Sequence, residues 1–205
     1  MLKRRLSLLL MLCVLLMALC GCSAENKEQN TVSLQIAVAT TYVPDTTITG
    51  LETELKEQLP ALYADGKNVI INGISTGDSE KNPEMTMAGM ARLMGMMASG
   101  EIELLICDPE NAQRYAESGE SFVPVSELFS DEELTSLGLK TVSVPVRDDD
   151  GNATGEMSAP CGFDLSACTL MTETLYQDNM AAYVFVNTAS LENAKAVIKL
   201  LASNQ

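Results

Sequence analysis

The chain is predicted to fold as an α/β domain on a mostly parallel sheet of about five strands. Three observations carry this. Short apolar runs at 33–40 (SLQIAVAT), 68–74 (NVIINGI) and 102–107 (IELLIC) alternate with helical stretches. That β-α-β-α-β order implies parallel strands joined by right-handed crossovers. The runs are apolar on successive residues, as in strands covered on both faces. The stretch 83–108 (PEMTMAGMARLMGMMASGEIELLICD) shows the repeating unit whole: an apolar helix, Ser99-Gly100, and a short strand ending in a polar residue.

The elements follow in order. Residues 41–45 (TYVPD) break the first strand as a loop. Thr49 with Glu52 forms a capping box that opens a helix with Leu51, Leu55 and Leu59 on one face. Pro60 disturbs that helix and Gly66 ends the segment. After the second strand comes a polar loop, 75–81. Asn82 then caps a helix and Pro83 takes its first position. This helix is apolar almost all round, with only Glu84 and Arg92 charged, which predicts an interior place. Asp108-Pro109 starts another helix through Ala116, closed by Gly119. An extended link at 122–125 leads to one or two short helices over 126–137, with Ser130 and Glu133 as a second capping box. Residues 141–146 (TVSVPV) alternate like a strand, 148–152 turn, and 156–159 return as a hairpin partner. Residues 160–167 read as irregular. The last strand is 181–186 (AAYVFV). Ser190 caps a terminal helix whose buried side is Leu191, Ala194, Val197, Ile198 and Leu201.

The first residues carry an address. Lys3, Arg4 and Arg5 precede an apolar run, 6–19, too short to span a bilayer and of the length of a signal-peptide core. It closes on Leu19-Cys20-Gly21-Cys22, which resembles the bacterial lipobox. By that resemblance Cys22 is lipidated and becomes the first mature residue. The segments are then a signal peptide over 1–21, a polar tether over 22–31 and a single domain over 32–205. The lipid implies a membrane partner through the anchor, with the domain on the extracytoplasmic face.

Removing residues 1–21 takes out three cations, so the formal charge goes from −15 to −18. Such an acidic chain is unsuited to nucleic acid or anionic lipid, which need basic patches. Histidine is absent. This excludes Ser-His-Asp and Cys-His catalysis, histidine metal sites and a histidine pH switch. Beyond Cys22 there remain Cys107, Cys161 and Cys168. The last two are spaced to close a small loop in an oxidising compartment, and the sequence leaves both disulfide and free thiols open.

Three stretches together resemble the extracellular solute-binding proteins of transporters, of the type 2 periplasmic-binding-protein kind. They are MASGEIELLICDPENAQRYAESGESFVPVSEL (97–128), SAPCGFDLS (158–166) and YVFVNTASLENAKAVIKLLAS (183–203). In order they are similar to the family's glycine followed by a "D-L-L-I" strand with its helix and link, its "Y-G-I-D-L" strand-crossing segment, and its late strand, turn and helix. Family members have two lobes that close on a ligand, the second inserted mid-chain. The stretch 108–140 is too short for that insertion, so the resemblance implies a single lobe, a three-layer α/β/α sandwich. It implies binding of a small polar ligand or assistance to a transporter.

In open α/β sheets ligands settle outside the carboxyl ends of the strands. The candidate ligand-binding residues are therefore Thr40, Thr41 and Tyr42 after the first strand, Ser75, Thr76 and Gly77 after the second, and Asp108 after the third. Each also has a structural role open to it: Asp108 before Pro109 suits a helix cap, and Thr76-Gly77 suits a turn. Met87, Met90, Met94 and Met97 share one helical face, a spacing that serves either a core stripe or thioether ligation of Cu(I). Asp148-Asp149-Asp150-Gly151 fails the calcium-loop spacing, because Val146 and Met157 stand where ligands are needed. No catalytic constellation appears, and neither an enzyme nor a cofactor is expected. The alternative to solute binding is a scaffold lipoprotein that docks a membrane protein, with copper binding behind both.

Overall fold

The sheet is built outward from β1 (Thr31–Thr40), which has buried side chains on both faces. β2 (Lys67–Ser75) lies parallel on one side, with Thr40 opposite Ser75. β3 (Leu104–Cys107) lies parallel on the other, with Ile36 opposite Leu104. Helix α1 (Asp45–Gln58) and a 3-10 segment (Pro60–Gly66) connect β1 to β2, and α2 (Pro83–Ala98) connects β2 to β3. The expected β-α-β-α-β order holds for this half. The computed structural model describes residues 31–108, 111–113, 121–148, 150, 152–175, 177 and 179–204. The signal peptide, Cys22 and nearly all of the tether lie outside the described residues, as does Gly119. Of the helix expected from Asp108 to Ala116, residues 111–113 are described and helical.

The other half corrects the expectation of a mostly parallel sheet of about five strands. β4 (Thr141–Val142), β7 (Gly162–Asp164) and β8 (Ala181–Val184) extend the sheet to six strands in the order β2-β1-β3-β8-β7-β4. From β3 onward every neighbouring pair is antiparallel. The fold is α/β with a mixed sheet. The physical reason is that a run such as AAYV, buried at every residue, has the same pattern read in either direction. Hydrophobicity places such a strand in the interior and leaves its polarity open. β5 (Pro145–Arg147) and β6 (Ala153–Met157) form a separate two-stranded hairpin, so the strand expected over 141–146 is divided between two sheets. β7 falls where an irregular segment is expected.

Four further helices are described: α3 (Val125–Leu128), α4 (Asp131–Leu137), α5 (Thr169–Leu175) and α6 (Leu191–Ser203). The second capping box is present at α4, where the Glu133 N–H donates to Ser130 Oγ (3.3 Å) and the Ser130 N–H to Glu133 Oε2 (3.0 Å). The first is not. α1 begins a turn earlier, after Pro44, and Thr49 donates its hydroxyl back to the Asp45 carbonyl (3.0 Å) inside the helix.

Apolar side chains fill both faces of the sheet. On one, Leu34, Ile36, Val38, Leu104 and Ile106 meet Leu51 and Leu55 of α1, Met171 of α5 and Val197, Ile198 and Leu201 of α6. On the other, Ala37, Leu105 and Tyr183 meet Leu93 of α2 and Phe122. The Phe122 ring lies 4.8 Å from that of Tyr183 and 5.0 Å from that of Phe185, distances at which aromatic pairs attract. Cys161 belongs to this second core and Cys168 to the first, and both thiols are free. The sheet thus separates the two cysteines whose spacing had suited a disulfide.

Helix α2 departs from expectation. Its buried residues are Thr86, Gly89 and Leu93, while Met87 and Met94 are 73% and 57% exposed. It is a surface helix, not an interior one. α2 packs on β2, the edge strand, so protein covers it on one side alone. Its buried stripe is narrow because the contact is close. A Cβ added at Gly89 would sit 2.3 Å from the Ser75 carbonyl oxygen, inside any permitted contact.

Candidate ligand cleft

That close approach brings the start of α2 beside the ends of β1, β2 and β3. Beyond Thr40 and Ser75 the parallel pairing runs on, with Thr76 N–H donating to the Thr40 carbonyl (2.8 Å) and Gly77 N–H to the Thr41 carbonyl (2.9 Å). Gly77 then turns the chain away with φ +67°, in the left-handed region that glycine adopts without strain. The Thr86 N and Oγ1 atoms lie 3.0 Å from where a Cβ on Gly77 would be. The turn and the helix are thus in near contact.

Between them is a cleft of about 120 Å³ lined by Thr41, Thr76, Gly77, Ser79, Thr86, Asp108, Asn111 and Gln177. Of the expected residues, Thr41, Thr76, Gly77 and Asp108 come together here. Thr40 stands behind the lining: it is buried and donates its hydroxyl to Gln177 Oε1. Ser75 serves the fold, its Oγ accepting from the Val43 N–H (3.0 Å). Tyr42 is 64% exposed and does not line the cleft.

Asp108 is the charged group of the lining, and it is only 5% exposed. Both of its carboxylate oxygens face Asn111, whose N–H donates to Oδ1 (2.9 Å) and whose Nδ2 donates to Oδ2 (2.6 Å). The first bond is the cap anticipated from Asp108-Pro109. Cap and cleft wall are therefore one residue with two roles. Asn111 Nδ2 also lies 3.5 Å from Thr76 Oγ1, which ties the third strand end to the second.

Sequence reasoning missed Ser79, Thr86, Asn111 and Gln177. Asn111 was in reach, since a cap at Asp108 predicts that the residue three positions on turns its N–H inward. Gln177 comes from the β7-to-β8 connection, which enters the sheet only through the antiparallel half.

Cys107, next to Asp108 in the chain, and Tyr183 are fully buried in the second core and do not line the cleft. Burial, with the Asp108 charge second, pushes the Cys107 thiol well above its ordinary value. Burial also drives the Tyr183 phenol far up, and its hydroxyl has no hydrogen-bond partner among the described residues. Neither is activated as a nucleophile, because each is held in its protonated form. Among the described residues no group of three or more Cys, Asp and Glu side chains is placed to hold a metal. What the lining offers is hydroxyls, two amides and one carboxylate, a set suited to hydrogen-bonding a small polar molecule.

Fold and cleft together define a mixed α/β domain with a polar recess at the carboxyl ends of its parallel strands. Compared with known protein families, curated proteins and solved structures, the chain matches none. Among the described residues no helix is long and apolar enough to cross a membrane.

Proposed function

We propose that this is a lipid-anchored extracytoplasmic protein whose single domain, a three-layer α/β/α sandwich like one lobe of a solute-binding protein, binds a small polar ligand or assists a transporter. The observation that carries this reading is the convergence of Thr41, Thr76, Gly77 and Asp108, from three successive strand ends, on one cleft. That is where open α/β sheets hold ligands. A cleft of about 120 Å³ compares with the roughly 150 Å³ that accommodates benzene, so it takes a small solute or the end group of a larger one. The role is binding rather than catalysis.

A screen of amino acids, sugars, short peptides and metal ions by thermal shift tests it. A true ligand at about a hundred times its Kd adds roughly 2.7 kcal/mol to stability, an easily read rise in Tm. A screen that moves nothing counts against the proposal. The anchor is tested separately: Cys22→Ser is expected to move the protein from the detergent to the aqueous phase of a two-phase extraction.

The exposed methionines of α2 favour a second reading, a scaffold lipoprotein that docks a membrane protein. Met85, Met87 and Met94 are flexible apolar side chains left in solvent, of the kind adaptable interfaces use. Crosslinking in intact cells is expected to trap a partner through α2. Recovery of monomer alone rejects this reading.

A further inference from the structure

The polar groups of the cleft are unevenly matched, and the imbalance identifies the kind of ligand. Asp108 brings a buried negative charge, and among the described residues no lysine or arginine forms an ion pair with it. Its partner Asn111 is neutral. A carboxylate accepts about four hydrogen bonds, and two of these acceptor positions are filled. A buried charge without an opposite charge is costly, so a cation arriving at Asp108 recovers much of that cost.

The donors of Asn111 and Thr86 are already committed, while the Thr41, Thr76 and Ser79 hydroxyls and the Gln177 amide can each donate as well as accept. Asn111 Nδ2 points its two protons at Asp108 and Thr76, and Thr86 donates its hydroxyl to the Asn82 carbonyl (3.2 Å). The lone pairs on Thr76 Oγ1 and Thr86 Oγ1 remain available, as do the remaining positions on Asp108. The cleft therefore presents more free acceptors than free donors around a single negative charge. An anion meets repulsion there, and a neutral hydroxyl compound leaves the charge uncompensated.

We infer that the cleft binds a primary ammonium group, with Asp108 as its counter-ion and the Thr76 and Thr86 hydroxyls as further acceptors. An ammonium is compact, carries three donors and no acceptor, and fits a recess of this size with a short carbon stem. The inference rests on the ligand-cleft reading and narrows it to the small cationic amines.

Three probes of nearly equal size and different charge test it: ethanolammonium, ethylene glycol and glycolate. Each is titrated calorimetrically into the full-length protein in detergent micelles. Ethanolammonium is expected to bind at least about tenfold more tightly than ethylene glycol, as charge-assisted hydrogen bonds exceed neutral ones, and glycolate more weakly than either. Asp108→Asn, which preserves the helix cap, is expected to abolish the preference for the cation. If ethylene glycol or glycolate equals ethanolammonium, the ammonium assignment is overturned while the small-ligand cleft stands. If none of the three binds and the wider screen is also silent, both fall together. Should Asp108→Asn fail to fold, the ranking of the three probes on the unaltered protein decides alone.

Discussion

At the scale of single residues, the cleft depends on a glycine outside its lining. Gly89 lets α2 settle against the Ser75 carbonyl, and this holds Thr86 across from Gly77. Gly89→Ala forces the helix off the strand. Overpacking of this kind costs about 1–3 kcal/mol. For a domain of this size that is a fall in Tm of roughly 2–12 °C, with ligand affinity falling as well. An unchanged Tm by calorimetry contradicts the packing described here.

Tyr183 acts in the opposite sense. Its ring fills the core over Gly162, but its buried hydroxyl lacks a partner among the described residues. Burial raises the Tyr183 phenol and the thiols of Cys107, Cys161 and Cys168 above their ordinary values. The unfolded chain releases these protons from about pH 8.5 to 10, and the folded chain retains them. The folded state then binds more protons, so stability is full below that range and falls as the pH rises through it. Tyr183→Phe is expected to keep or raise Tm at pH 7 and to flatten its decline near pH 10. A steeper alkaline decline in the variant, followed by circular dichroism, contradicts this.

At the scale of elements, α2 shows what periodicity tells and what it hides. The caps Asn82 and Pro83 were legible, and the Asn82 side chain does accept from the Met85 N–H (3.1 Å). The burial of the helix was not, because composition reports how apolar a helix is and not how much of it a neighbour covers. A glycine at the point of contact draws the helix close, so that only Thr86, Gly89 and Leu93 are buried, with Met96 and Met97 partly buried against the second core. Leu93→Ala is accordingly expected to cost about 2–5 kcal/mol, measured by denaturant unfolding. Met87→Gln and Met94→Gln are expected to change stability by less than about 0.5 kcal/mol. Equal losses at Leu93 and Met94 contradict the burial pattern.

The parallel half of the sheet and the strand-end residues Thr41, Thr76, Gly77 and Asp108 were legible for a shared reason. Both follow from β-α-β order, and that order is local in sequence. The antiparallel half was not, because β7 is three residues long and its neighbour β8 is apolar throughout. Gln177, which travels with that half, was hidden for the same cause.

For the whole molecule, the proposed function is that of an acidic domain on a lipid tether, with the polar recess among its described residues open to small solutes. The mixed sheet brings strand ends and the β7-to-β8 connection to the same place, so the cleft is closed by parts far apart in the chain. The most direct test of that central claim is amide chemical-shift mapping by NMR while the best ligand of the screen is titrated in. The account predicts that the largest shifts gather at Thr41, Thr76, Gly77, Thr86, Asp108, Asn111 and Gln177, and that they saturate with one affinity. Shifts gathered instead along the exposed face of α2, around Met87 and Met94, with the strand ends unmoved, would contradict it.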